Sequence, residues 1–170
     1  MQVIPLGISS CLAGSCVRYD GRCCYSPIIV EWLGKRANLI PFCPEHECGM
    51  PVPREPMDLY DSPEGLRLRT VESGRDLTHM LESWLEGVVK RIRTLEIRGF
   101  ILKSGSPSCG IGSARVHRNG RVSRTGTGIF ADALLRRLPD IVLVEETELY
   151  DHQDVVSFIE KIGGCRRAER

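Results

Sequence analysis

Residues 99–110 read GFILKSGSPSCG. The uncharged run Phe100-Ile101-Leu102, closed by Lys103, has the length and bounds of a buried strand, and it passes directly into a loop of small residues, one proline and one cysteine. A structural turn has no need of a thiol ringed by Ser104, Ser106 and Ser108. Cys109 is therefore read as holding something, and the question becomes whether other strands end the same way.

Two do. Val3 to Ser9 is a short apolar run that ends at Ser10-Cys11-Leu12-Ala13-Gly14, and Asn38 to Phe42 is another that ends at Cys43-Pro44-Glu45. Between and after these strands lie helical patterns. One starts at Ser26-Pro27 with Ile28, Ile29, Trp32 and Leu33 on one face. A long one runs from Asp76 to Arg98 with Leu77, Met80, Leu81, Trp84, Leu85, Val88, Ile92 and Leu95 at helical spacing. A third covers Ile129 to Leu138, and a terminal one lies near Asp154 to Ile162, after a fourth strand at Ile141 to Val144. Strands alternating with amphipathic helices predict an α/β fold: a single domain over residues 1–170, with a mainly parallel, Rossmann-like sheet and helices on both faces. Ligands in such sheets occupy the crevice beyond the carboxyl ends of the strands, so Cys11, Cys43 and Cys109 are placed at the expected active site. Residues Gly49 to Gly74, rich in proline and charge, read as an irregular excursion with one short strand at Leu66 to Val71, and the glycine-rich stretch after Gly110 is given no element.

Composition narrows the function. A chain of 170 residues can bury a core without disulfide or metal staples, and a net charge of +1 lacks the basic excess of a strongly electrostatic nucleic-acid binder. The start, MQVIPLGISSCLAG, has neither a basic segment nor an apolar run of signal or membrane length, which points to a cytoplasmic protein without membrane contact. Eight cysteines in such a chain suggest metal binding or catalysis. Taken singly, Cys24 or Cys165 reads as an ordinary thiol.

Three thiolates converging on one sheet edge can hold a soft metal or an iron–sulfur cluster. Structural zinc takes four ligands, often as C-x-x-C pairs, and no such pair occurs; Cys43 with Cys48 is looser. Three ligands without an obvious fourth fit a cubane cluster with one iron left open. Glu45, two residues past Cys43, is a candidate acid or base; the plain alternative is a solvated loop carboxylate. The serines of the SPSCG loop either touch a ligand or satisfy local backbone groups. Arg18-Tyr19-Asp20-Gly21 reads at first as a turn in which Arg and Asp pair.

The stretches SSCLAGSCVRYDG, CPEHECGMPVPREP, GRDLT and GFILKSGSPSCG, in that order, resemble the thiouracil desulfurase family over nearly the whole chain. The resemblance implies an oxygen-sensitive [4Fe-4S] cluster on Cys11, Cys43 and Cys109, and removal of sulfur from a thiolated uracil by non-redox hydrolysis, giving uracil and hydrosulfide. It places the catalytic carboxylate at Glu45 and an assisting serine at Ser106. Ser10, Arg18, Asp20, Arg54, Lys103 and Ser108 are the expected substrate contacts. The expected partner is a small thiolated base or nucleoside; relatives linked to thiolated tRNA carry an extra C-terminal domain, so tRNA is not favoured. Cys48 stands where many members have glycine, and Cys16, Cys23 and Cys24 lie beside the first motif without a family role.

Two other readings compete. In one, the cysteines hold zinc or an iron–sulfur group for folding alone. In the other, Arg91, Arg93, Arg98 and the Cys165-Arg166-Arg167 tail form a nucleic-acid patch, but Glu86, Glu96 and Glu160 break up that charge and favour a solvated helix face.

Overall fold

The computed structural model describes residues 3–164. Cys165 and the arginines that follow lie outside them. The chain is a mixed α/β domain containing a fully parallel sheet of four strands: β1 (Ile4–Ser9), β2 (Ala37–Phe42), β5 (Gly99–Leu102) and β8 (Val142–Glu145), in the order β2-β1-β5-β8. Each of these strands was legible as an apolar run because a sheet covered on both faces has no solvent side to mark with polar residues.

The two faces bury different sets. Leu6, Ile8, Ile101 and Val144 pack with Ile29 and Leu33 of α1 (Pro27–Leu33) and with Val155, Phe158 and Ile162 of α5 (His152–Gly164). On the other face Phe42, Phe100 and Leu102 meet Leu85, Val88 and Ile92 of α3 (Thr78–Thr94) and Phe130 and Leu134 of α4 (Ile129–Arg137). Helix α3 is shorter than its apolar pattern at both ends. Asp76 lies before the helix, where its Oδ1 accepts from Thr78 N at 3.0 Å. At the far end Glu96 takes φ 52°, and Ile97 N donates back to Ile92 O at 3.1 Å, a left-handed cap that stops the helix before Arg98.

Residues 49–74 are more regular than expected. They contain β3 (Met57–Tyr60) as well as the expected short strand, β4 (Arg67–Thr70), and the two pair antiparallel. The stretch after Gly110 forms a second hairpin, β6 (Ala114–Arg118) with β7 (Arg121–Gly126), and β3 pairs with β6 in parallel to give a second sheet in the order β4-β3-β6-β7. The parallel sheet is thus only half of the strand content. Charged strands such as ARVHR and RVSRTG carry too little apolar signal to be recognised alone. Leu59, Leu68, Ala114 and Val116 of this sheet close over Leu81 at the start of α3. No described helix is long and apolar enough to cross a membrane.

Candidate active site

Beyond the carboxyl ends of β1, β2 and β5 lies a cavity of about 370 Å³ whose walls include Cys11, Cys43 and Cys109. Order β2-β1-β5 makes this the point where the sheet's connections diverge to opposite sides of β1, and the diverging loops leave the crevice. Each cysteine arrives by a different local device. Cys11 is buried in the turn after β1, where Leu12 N donates to Ser9 O at 2.9 Å. Cys43 precedes the short helix α2 (Pro44–Glu47), Pro44 supplying a preset first turn, and Cys43 N donates to Glu47 Oε1 at 2.9 Å. Cys109 is buried in a loop folded around Ser106, whose Oγ accepts from Ser108 N at 3.2 Å and Cys109 N at 3.1 Å.

That loop is pinned from behind by α4. Ile129 N donates to Pro107 O at 3.2 Å and Phe130 N to Ser108 O at 2.9 Å, so loop carbonyls satisfy amides that a helix start leaves unpaired. From the other side buried Glu145 accepts from Ile111 N at 2.6 Å and from the Ser113 hydroxyl.

The three thiols feel one another. Burial, followed by the neighbouring Cys24 and Cys43, pushes Cys11 up to about 12. Burial is also the main cause raising Cys109, with Cys11 and Cys43 adding to it, and the main cause raising Cys43. Shifts in this direction favour the protonated thiols. A soft positive centre would reverse this by taking them as thiolates, and Lys103 and Arg18 beside Cys11 and Arg54 beside Cys43 already pull that way. Among the described residues no group of three or more His, Cys, Asp or Glu side chains converges tightly enough for a single metal ion. The donor set instead surrounds a cavity, which suits a polynuclear group bound through separate atoms.

Glu45 lines the same cavity and is 8% exposed. Its Oε2 accepts from Arg54 Nε at 2.9 Å and Nη2 at 2.5 Å, and its Oε1 accepts from Ser108 Oγ at 2.8 Å. It is therefore not a solvated loop carboxylate. Arg54 is fixed in turn, its Nη2 donating to Val17 O at 3.1 Å and its Nη1 to Pro51 O at 3.2 Å. Lys103 Nζ pairs with Glu146 Oε1 and donates to Ser104 Oγ at 3.0 Å.

Of the residues expected at the site, Ser10, Arg18, Arg54, Lys103 and Ser106 line the cavity with Glu45 and the three cysteines. Two do not. Asp20 stays in its turn, Oδ1 accepting from Arg22 N at 3.0 Å and Oδ2 lying 3.8 Å from Arg18 Nη2. Ser108 is fully buried behind Glu45, so it holds the carboxylate and does not face the cavity. Cys16, Cys23, Cys24 and Cys48 are also outside the lining, and the Cys48 Sγ donates to Glu45 O at 3.2 Å.

Sequence reasoning missed Asp58, Arg115 and Arg124, which the second sheet brings to the cavity. Asp58 is buried, lies in hydrogen-bonding contact with His117 Nε2 at 2.8 Å, and lies 3.5 Å from Arg115 Nε. The available signal was Asn119-Gly120: both take positive φ, 49° and 74°, the two-residue hairpin turn that an Asn-Gly pair favours. Recognising it would have put Arg115 and Arg124 on one ribbon. In all, five cationic side chains and two carboxylates line the cavity, a field suited to an anionic occupant.

Three comparisons bear on this arrangement. The family described as 2-thiouracil desulfurase matches residues 6–146. A Bacillus subtilis (strain 168) protein described as uncharacterized protein YbbK is 34% identical over 155 residues, covering 85% of this chain and 97% of its own. Among solved structures, the [4Fe-4S]-dependent thiouracil desulfidase TudS superposes with a TM-score of 0.70 at 33% identity, over 91% of this chain and 98% of that one.

Proposed function

The chain belongs to the 2-thiouracil desulfurase family, and from that premise we propose that it removes sulfur from a thiolated uracil, as a free base or nucleoside, by hydrolysis to uracil and hydrosulfide. The observation that carries the proposal is the convergence of Cys11, Cys43 and Cys109 on one cavity with Glu45 on its wall. The Rossmann-like parallel sheet then presents its active site at the carboxyl ends of its strands. The solved relative's description as [4Fe-4S]-dependent supports the same cofactor here, held by those three cysteines. When bound, such a cluster supplies Lewis acidity toward a thiocarbonyl sulfur at the iron that no cysteine occupies.

The rest of the work falls to the chain's own groups. A carboxylate offers about four acceptor sites; Arg54 and Ser108 together fill three on Glu45. The remaining site is available to a water or ring proton in the cavity, so Glu45 takes up and returns a proton while its orientation stays locked. Ser106 spends its lone pairs on the Ser108 and Cys109 amides, leaving its hydroxyl proton as a donor to the substrate. Ser10, Arg18 and Lys103 line the space that the base would fill. A volume of about 370 Å³ falls in the range of small-molecule sites. A cytoplasmic setting belongs to this reading, since it keeps the thiols reduced.

The test is anaerobic. Protein loaded with iron and sulfide should bleach the near-ultraviolet absorption of thiouracil and release hydrosulfide. Glu45→Gln keeps the size and most of the hydrogen bonding, so it should hold a full cluster and turn over roughly two to four orders of magnitude more slowly. Unchanged turnover by Glu45→Gln with a full cluster would transfer the proton role to another group. Zinc without labile sulfide would restore the structural-metal reading.

A further inference from the structure

Cys16 and Cys23 are the exposed cysteines among the described residues, and neither lines the cavity. The chain between them doubles back on itself: Arg18 N donates to Arg22 O at 3.3 Å, Gly21 N donates to Arg18 O at 2.9 Å, and Gly21 takes φ 74° at the bend. The two flanks of this turn run side by side, which sets Cys16 beside Cys23, the neighbour that perturbs it most. Cys24, the next residue, faces the other way. It packs against the apolar cluster of α1 and α5, and its Sγ accepts from Arg18 Nη1 at 2.9 Å.

The enclosed residues are tied to the site. Val17, Arg18 and Tyr19 line the cavity. Val17 O accepts from Arg54 Nη2 at 3.1 Å and Tyr19 O accepts from Arg54 N at 2.8 Å, so the turn anchors both the side chain and the backbone of the arginine that grips Glu45.

We propose that Cys16 and Cys23 form a reversible intramolecular disulfide that clips this cavity loop, with a low-molecular-weight disulfide as oxidant. One thiolate of the pair attacks the small disulfide, forming a mixed disulfide and releasing one small thiol. The second protein thiolate attacks the protein sulfur of that mixed disulfide, closing the ring and releasing the second small thiol. Two cysteines are oxidised and one small disulfide is reduced to two thiols, so electrons balance. The neighbouring thiol raises Cys16 above its ordinary value, which slows the first step; the surrounding thiol–disulfide ratio sets the oxidised fraction at equilibrium. Closing so short a ring restricts residues 17–22 and hence the carbonyls that hold Arg54. A disulfide of this kind in a reducing compartment is a sensor and not a staple.

The experiment reads the covalent state and the loop, not turnover. Cluster-loaded protein is equilibrated anaerobically in glutathione buffers of rising oxidised fraction, alkylated, digested and mapped by mass spectrometry. The expected result is one internal crosslink, Cys16 to Cys23, reversed by excess reduced glutathione and accompanied by several-fold slower amide hydrogen exchange in the peptide containing Arg54. In Cys23→Ser, Cys16 should stop at the glutathione adduct, and the exchange rate should stay that of the reduced parent. Separate glutathione adducts on Cys16 and Cys23 in the parent, a crosslink to Cys24, or the expected crosslink without any change in exchange at Arg54 would each overturn the proposal.

Discussion

Arg54 grips Glu45 Oε2 with two nitrogens, Nε at 2.9 Å and Nη2 at 2.5 Å, in a pair whose side chains are 7% and 11% exposed. Burial removes the water that would otherwise solvate either charge, so truncating one side chain strands the other without its hydrogen bonds. Arg54→Ala should destabilise the fold by about 3–5 kcal/mol, the usual cost of stranding one buried charge. Arg54→Lys keeps the charge but loses the planar fork and the tie to Val17 O, and should fall between Ala and the parent. Denaturant midpoints measure both, and Arg54→Ala with Glu45→Gln in one chain should cost less than the two single changes added together.

Cys11, Cys43 and Cys109 should each be needed for the visible absorption of the cluster when changed to Ser, measured with iron and labile sulfide per chain. Cys48→Ser should leave it intact, because Cys48 lies outside the cavity lining and donates to Glu45 O. Cys165→Ser should leave it intact as well. A cluster that survives Cys109→Ser but not Cys48→Ser would reassign the third ligand.

Gly128 sits where α4 meets the SPSCG loop. A Cβ there would lie 2.4 Å from Ser108 C, 2.5 Å from Ser108 O and 2.7 Å from Cys109 N, all backbone atoms that cannot rotate away. Gly128→Ala should therefore push the Cys109 loop off the helix, lowering stability by about 1–3 kcal/mol and iron content with it. Thermal unfolding and iron analysis read the two effects, and an unchanged iron content would mean that the loop can move without losing its ligand position.

Glu55 joins the start of the second sheet to the turn after β4, accepting from Glu72 N at 2.5 Å, Ser73 N at 2.6 Å and Ser73 Oγ at 2.7 Å. The Ser73 hydroxyl is the largest cause holding its carboxyl below the ordinary value. A depressed folded value means that its contribution is fully present above the unfolded value of about 4.3 and is lost as pH falls through the folded one. In acid, melting temperature should drop less steeply for Glu55→Gln than for the parent. Parallel curves would show that the contact adds nothing to stability.

Ser106→Ala removes the acceptor shared by the Ser108 and Cys109 amides. It should reduce turnover less than Glu45→Gln and also lower cluster retention, since the same hydroxyl shapes the ligand loop. Iron per chain compared with turnover per cluster separates the two effects. Full retention with reduced turnover would confine Ser106 to the substrate.

Strands β1, β2, β5 and β8 were legible because a strand buried on both faces must be apolar throughout, and α1, α3, α4 and α5 because one face of each is buried. The cysteines could be placed at strand ends for the same reason: a strand that stops being apolar has reached the edge of the core. Of the second sheet only β4 was legible. Its strands are short, charged and stabilised by pairing between β3 and β6, more than fifty residues apart, which no local pattern encodes. With that sheet came Asp58, Arg115 and Arg124 at the cavity. Tertiary structure also decided the partners of each polar group. Local sequence puts Glu45 two residues after Cys43, but only the folded chain brings Arg54 and Ser108 against it, and turns Asp20 away. Apolar periodicity is set by what a residue must avoid, water, and can be read one element at a time; a buried charge is set by what it must meet, and its partner lies wherever the chain returns.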